Sequence, residues 1–352
     1  MRDSSILPAC AMLAALLCLS GAAVAQSPAV NPEDAERARA QQERQATQPG
    51  NNAPVWRDVR YGEPKVSQVR GRETNVLIQS EGQTWRAARV PMATTGGFAF
   101  SLALLGILGF YMWRGPIQLT EPPTGRRIER FTRVQRIVHW TVAIVFTTLG
   151  ITGLIITFGK NVLLPVFGYT VFSVVAMAAK ILHNFVGPVF VVVLPIMIVM
   201  FLKSNLFKSY DWPWLKRFGG MMDRTGRSEV PSGKANAGQK ILFWLMVVAI
   251  GITAAVTGLI LDFPNFDQTR QTMQIANGIH MVAGLGGIIL LAFHIYLGTV
   301  GMRGAYDAMR HGYVDESWAR QHHRIWYDDV MSGKASHGGK RVKVIEPGSG
   351  AA

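Results

Sequence analysis

The stretch "ANGIHMVAGLGGIILLAFHIYLG", residues 276–298, decides how the chain is read. It is apolar enough for a bilayer core, yet it carries His280 and His294. A polar side chain in hydrocarbon costs free energy unless something claims it, so intramembrane imidazoles mark function. A helix turns about 100° and rises 1.5 Å per residue, so two positions fourteen apart share a face, about 21 Å apart along the axis. A shared zinc or di-iron centre needs ligands within a turn or two. The spacing therefore describes two stacked sites. Gly284 and Gly287, on the same face, remove bulk where a flat ligand would lie; the same glycines also suit close helix packing.

Composition agrees with membrane spans. Of 352 residues, 49% are hydrophobic and 16% charged, whereas a soluble domain is about a quarter charged. The runs 96–113, 141–159, 185–202, 241–261 and 279–302 contain no Lys, Arg or Glu. Each is about long enough to cross a hydrocarbon core, which takes roughly 17–25 residues. The net charge of +14 does not point to nucleic acid: the basic residues lie between the runs, where topology explains them. There is no zinc-finger spacing and no basic-aromatic repeat.

Residues 1–25 read as a secretory signal, with Arg2, an apolar core and Ala23-Val24-Ala25 as an A-x-A cleavage site. An uncleaved anchor is the alternative. Cys10 and Cys18, the chain's two cysteines, both lie there. Cleavage would leave no thiol, which excludes disulfides, cysteine-ligated iron–sulfur clusters and c-type haem attachment. Residues 26–95 form a polar outer segment, expected as a tether followed by a small hairpin around Glu81-Gly82, with a docking or spacer role.

The expected fold is an all-α membrane protein of five spans with a small outer segment before the first. The expected spans are 96–113, 137–159, 179–202, 239–261 and 277–302. The connections are 114–136, 160–178, 203–238 and 262–276, followed by a tail at 303–352. The connection 114–136 carries six arginines, and 203–238 and the tail are also basic. The other two connections are not, so the basic ones belong in the cytoplasm. A cleaved signal followed by five crossings independently places the C-terminus inside. The localisation expected is the inner membrane, with the mature N-terminus periplasmic.

Two further histidines extend the pattern. His139 opens the second span at its inner edge, and His183 opens the third at its outer edge. Depth then pairs His183 with His280 and His139 with His294. Two imidazoles facing each other across a bundle are the usual axial ligands of a b haem, whose six-coordinate iron passes single electrons. Propionate partners are expected in Arg133 and Arg136 for the inner haem and Lys180 for the outer one, although basic residues at helix ends also snorkel. His311, His322, His323 and His337 lie in the hydrophilic tail, where an amphipathic surface helix or a partner contact is expected and no metal is assigned. A proton channel or transporter using histidine relays is the reading from another class. Against it, the spans show no internal repeat and no embedded Asp or Glu.

At this point the residues resemble a family. "RFTRVQRIVHWTV", "AKILHNFVGPVF", "GKANAGQKILFW", "IHMVAGLGGIILLAFH" and "SWARQHHRIWY" are similar to the gamma, or cytochrome b, subunit of respiratory formate dehydrogenases. They run in the family's order over roughly 128–328, and the resemblance implies a four-helix transmembrane bundle holding two b haems, with one extra N-terminal transmembrane helix and the small outer segment added to it. The histidines alone would also fit the cytochrome b of a hydrogenase or another quinone-linked oxidoreductase. The resemblance implies partners: a molybdenum or tungsten subunit that oxidises formate and an iron–sulfur subunit, in a complex of possible higher order. Electrons would enter at His183/His280, pass to His139/His294 and reach a membrane quinone. The resemblance also implies that Asn236 and Gln239 of "NAGQK" touch that quinone; an N-terminal cap for the fourth span is the plainer role for Asn236.

Overall fold

The computed structural model describes residues 80–223, 230–266 and 268–347, together with Glu36, Arg39, Ala40 and Glu43. The signal expected at 1–25 and nearly all of the expected tether lie outside the described residues. Two compact units divide the chain, Met1–Thr95 and Gly96–Ala352.

Five helices are long and apolar enough to cross a membrane. The first, α1, is Ser80–Arg114. It overturns the expected hairpin, because the chain is already helical where the second arm would lie. Arg86, Ala87, Ala88 and Arg89 are good helix formers and continue directly into the apolar run.

Helix α2, Arg133–Val162, starts at a reciprocal cap. Thr132 Oγ1 accepts from the Gln135 N–H (3.3 Å), and Gln135 Oε1 accepts from the Thr132 N–H (3.1 Å). Helix α3, Leu164–Leu202, follows after one residue, and Pro165 sits in its first turn, where a missing N–H is harmless. The connection expected at 160–178 is therefore mostly helix. Beyond Leu163 between the two helices, it breaks at Gly168, at φ 72°, a conformation that a residue without Cβ adopts cheaply. The apolar run 169–178 has no Pro or Gly to stop the helix again.

A short helix, α4, Asp211–Lys216, lies in the following connection. Helix α5, Ala237–Asp262, widens into π turns over Phe243–Ile250, a local feature that often accompanies functional sites. Helix α6, Arg270–Gly298, is capped by Thr269 and carries the stretch that opened the reading. Helix α2 packs on α3, α3 on α5, α5 on α6 and α6 back on α2, closing a four-helix ring.

Lipid gives helices no hydrophobic reason to associate, so close van der Waals fit must hold the ring together. Bulky side chains fill places where a neighbouring helix has glycine. Phe146 on α2 seats against Gly287, Leu194 on α3 against Gly251, and Ile288 on α6 against Gly150. Val142, Phe146, Phe190 and Leu194 form the buried middle of the bundle.

At the end of the ring where α2 begins and α6 ends, the connections and tail fold into one cap. Strand β1, Arg127–Glu129, lies between β2, Tyr313–Asp315, and β5, Val344–Ile345, antiparallel to both. Strands β3, Ser336–His337, and β4, Lys340–Arg341, form a separate small hairpin. Helices α7, Ala305–Arg310, α8, Glu316–His322, and α9, Arg324–Met331, complete the cap. Ile128, Val314, Trp318, Ala319 and Trp326 make its core. The tail is thus no lone surface helix: Trp318 and Trp326 turn inward, and His322 and His323 are buried with them.

A second anchor ties the cap to the bundle. Lys240 Nζ and Asp211 Oδ2 form a 2.6 Å ion pair with both side chains almost fully buried. The Lys208 N–H donates to the same oxygen at 2.6 Å. Removing one member of a buried pair strands the other charge and costs about 3–5 kcal/mol, whereas a volume-matched apolar pair is often neutral. Lys240→Ala should therefore lower the thermal midpoint of the purified protein strongly, and Lys240→Met with Asp211→Leu should recover much of the loss; differential scanning fluorimetry in detergent reads both.

Candidate cofactor site

The four span histidines meet in the two pairs expected from their depth. His183 on α3 and His280 on α6 have ring centroids 6.0 Å apart. His139 on α2 and His294 on α6 also stand 6.0 Å apart. A metal–imidazole distance of about 2.0 Å on each side, with roughly 1.1 Å more from nitrogen to ring centre, would separate two axial rings by roughly 6 Å. Among the described residues, no group of three or more His, Cys, Asp or Glu gathers as a metal site. Two nitrogens alone leave a bare ion short of ligands. They suit an iron whose other ligands come from a macrocycle.

The His183/His280 level has a repeated receptacle. Thr152 Oγ1 donates to the Thr148 carbonyl (2.8 Å) and meets His183 Nδ1 (2.8 Å). Thr257 Oγ1 donates to the Thr253 carbonyl (2.6 Å) and meets His280 Nδ1 (3.0 Å). The next residue is glycine in both cases. A Cβ on Gly153 would stand 3.5 Å from His183 Cε1, and one on Gly258 would stand 3.2 Å from His280 Cε1. Threonine fixes one ring atom while glycine leaves room for its neighbour. Sequence reading passed over these four residues, although "ITGLI" at 151–155 and "VTGLI" at 256–260 are near-copies that a search for short repeats would find.

The His139/His294 level opens into a cavity of about 610 Å³ that reaches the cap. This is the size of a small-molecule or cofactor pocket. Asn236, Gln239, Arg130 and Lys234 line it together with the two histidines. Asn236 caps α5 as its plainer role required: its Oδ1 accepts from the Gln239 N–H (2.9 Å), and Gln239 Oε1 accepts from the Asn236 N–H (3.1 Å). Both side-chain oxygens are thereby occupied, and both NH₂ groups stay available as donors.

Of the expected basic partners, Arg133 is exposed and Arg136 donates to the Arg310 carbonyl at 2.8 Å. Neither lines this cavity, while Arg130 and Lys234 do. Arg130 is buried, with its guanidinium 4.6 Å from the Trp318 ring centre. It donates to the Lys234 carbonyl at 2.9 Å. Neither cation has a carboxylate within 4 Å among the described residues. Burial pushes Arg130 down to about 9. Burial first and the charge of Arg130 second push Lys234 down to about 8. A buried cation and a half-buried one beside a cavity suit an anionic ligand group.

At the other level Lys180 is exposed, one turn before His183. Gly284 faces open space, whereas Gly287 makes room for Phe146.

A helical membrane bundle with two facing imidazole pairs at separate depths is the architecture of a membrane cytochrome b. The chain belongs to the prokaryotic cytochrome b561 family, which it matches over residues 130–312. It is 30% identical over 213 residues to the nitrate-inducible formate dehydrogenase cytochrome b556(Fdn) subunit of Escherichia coli K12, covering 60% of this chain and 94% of that protein. The cytochrome b556(fdo) subunit of the same organism is 30% identical over 206 residues, 58% of this chain and 93% of the relative. The formate dehydrogenase cytochrome b556 subunit of Haemophilus influenzae is 27% identical over 210 residues, 58% and 85%. The family implies haem b.

Gly258→Val would push methyl groups into the His280 ring and should lower the haem b bound per chain. Gly106→Val, where an added Cβ meets nothing within 4 Å, should leave it unchanged. Pyridine haemochrome spectra of the two purified variants compare them.

Proposed function

We propose that this chain is the membrane-anchoring di-haem cytochrome b subunit of a formate dehydrogenase complex, carrying electrons from a periplasmic iron–sulfur subunit to quinone. The observation that carries the reading is the pair of imidazole pairs, each at 6.0 Å, in a chain aligned with nearly the whole length of relatives named formate dehydrogenase cytochrome b subunits. His183 and His280 hold the outer haem, and His139 and His294 the inner one. A bound b haem shuttles between ferric and ferrous states, one electron at a time.

The residues at each level do the rest. Thr152 and Thr257 orient the outer ligands. Arg130 and Lys234 supply buried positive charge for inner propionates, alongside the more exposed Arg133 and Arg136; Lys180 serves the outer haem. The free NH₂ groups of Asn236 and Gln239 donate to a quinone carbonyl in the same cavity. Formate gives carbon dioxide, one proton and two electrons outside. Quinone takes two electrons and two protons from the inside to become quinol. Charge separation across the inner membrane follows from the placement of these two half-reactions.

The basic residues of 114–136, 203–238 and the tail support a cytoplasmic cap. The mature N-terminus is then periplasmic. The catalytic subunit with molybdenum or tungsten and the iron–sulfur subunit are the partners, on the outer side.

Formate added to the intact complex should give a reduced b-type spectrum with two haems per chain; a colourless complex would refute the assignment. His183→Ala or His280→Ala should remove one haem and stop formate-dependent reduction of the other. His139→Ala or His294→Ala should leave a formate-reducible haem but abolish quinol formation.

Gln239→Ala should slow quinol formation about tenfold, in line with the loss of one well-placed donor hydrogen bond to a buried group, while both haems remain formate-reducible. Loss of haem in that variant would instead assign Gln239 to the cap alone. Stopped-flow spectra with a soluble quinone analogue separate the two results.

A further inference from the structure

His183 and His280 differ from His139 at ring Nδ1. A hydroxyl has one proton to donate. Thr152 gives it to the Thr148 carbonyl and Thr257 to the Thr253 carbonyl, the latter at 2.6 Å, shorter than the 3.0 Å contact to His280. Each hydroxyl oxygen must then accept from its histidine. That makes Nδ1 the protonated nitrogen of His183 and His280 and leaves each Nε2 bare. The carbonyl bond also polarises the hydroxyl and makes it a stronger acceptor. At the other level His139 Nδ1 is buried with no hydrogen-bond partner among the described residues.

An acceptor on the far nitrogen makes a metal-bound imidazole more basic. A more basic axial ligand stabilises ferric over ferrous iron, and second-shell hydrogen bonding is a recognised lever on haem potential. We infer that Thr152 and Thr257 are positioning residues that hold the outer haem at a lower reduction potential than the inner one, so that electrons entering at the outer level run downhill across the bundle. This rests on the bis-imidazole reading given above.

The balance of charges between the two levels favours the same order. A nearby cation stabilises the reduced, less positive iron. Lys180 would do so at the outer level, but it is exposed and screened by solvent. Arg130 lies buried beside the inner cavity, with Lys234 next to it, and acts with far less screening. The inner potential is raised and the outer one lowered.

Optical redox titration of the intact complex tests the inference. Thr152→Val and Thr257→Val keep the shape and remove the acceptor; Thr→Ser at either position keeps the acceptor. The His139→Ala background, which retains only the outer haem, assigns the midpoints. Each Val variant should raise the outer midpoint by about a tenfold change in the reduction equilibrium, ~59 mV for a one-electron couple, with the inner midpoint unmoved and the Ser variants close to wild type. Unmoved midpoints in Val variants that retain both haems would overturn the inference, as would a shift confined to the inner haem. Should a Val variant lose its haem, the wild-type order decides: the haem kept in His139→Ala must be the lower of the two. Absence of haem from the wild-type complex would instead remove the bis-imidazole reading itself.

Discussion

An imidazole inside a bilayer has two ring nitrogens and no water to satisfy either, and the bundle is arranged around that demand. At the His183/His280 level one nitrogen of each ring meets a threonine hydroxyl, and the other is left for a ligand. Satisfying the rings also dictates which helices are neighbours. Thr152 on α2 serves His183 on α3, and Thr257 on α5 serves His280 on α6. Each threonine thus tethers consecutive helices of the ring. The glycines beside the threonines, and those against Phe146 and Leu194, let the helices approach closely enough for these bonds to form. Packing in lipid comes from fit alone, so bulk, hole and hydrogen bond have to coincide.

The two ends of the ring are built for different purposes. Where α2 begins and α6 ends, a cap of short strands and helices covers the His139/His294 cavity and brings buried cations to it. The reciprocal Asn236–Gln239 cap sits on the lining of that cavity. A helix N-terminus needs acceptors for its free N–H groups, and the amide oxygens provide them. The amide NH₂ groups are surplus to that need and face a cavity that can use donors. Cap and ligand contact are therefore compatible roles for the same two side chains. The buried Lys240–Asp211 pair, one residue beyond Gln239, holds this corner against the connection that precedes it.

Much of this was legible in the sequence because it depends on periodicity and depth. The positions of His139, His183, His280 and His294 within apolar runs of known direction were enough to pair them, and the structure brings those same rings together. Other features depend on contacts that periodicity does not encode. Arg130 reads as one more basic residue in a basic connection; only the folding of Trp318 over it takes it out of solvent. The tail reads as an amphipathic surface helix or a partner contact because it is hydrophilic, yet its Trp318 and Trp326 pack on Ile128 of strand β1, far earlier in the chain. The hairpin expected around Glu81-Gly82 failed because local alternation competed with a helix that had a long apolar run to extend it. The threonine–glycine receptacles were missed for another reason: each is only two residues, and their meaning appears when a histidine from the next helix is set against them.

Between the two histidine levels lies a layer with no polar side chain in its core. Phe146 and Phe190 stand 5.6 Å apart there, with Leu194 beside them and Gly287 admitting the Phe146 ring. One helix, α6, carries a histidine at both levels, so any displacement along its axis would move both sites at once. The Phe146 ring seated on Gly287 resists that displacement, because bulk and hole must repack before α6 can slide. An apolar layer screens charge poorly, so what weakens a charge at one level as felt at the other is distance, about 21 Å along α6 between His280 and His294. A change of hydrogen bonding at the Thr152/Thr257 level can then alter that site without altering its neighbour on the same helix. A hydrogen bond acts over a single contact, so two sites on one helix can be tuned separately while the phenylalanine layer holds them apart.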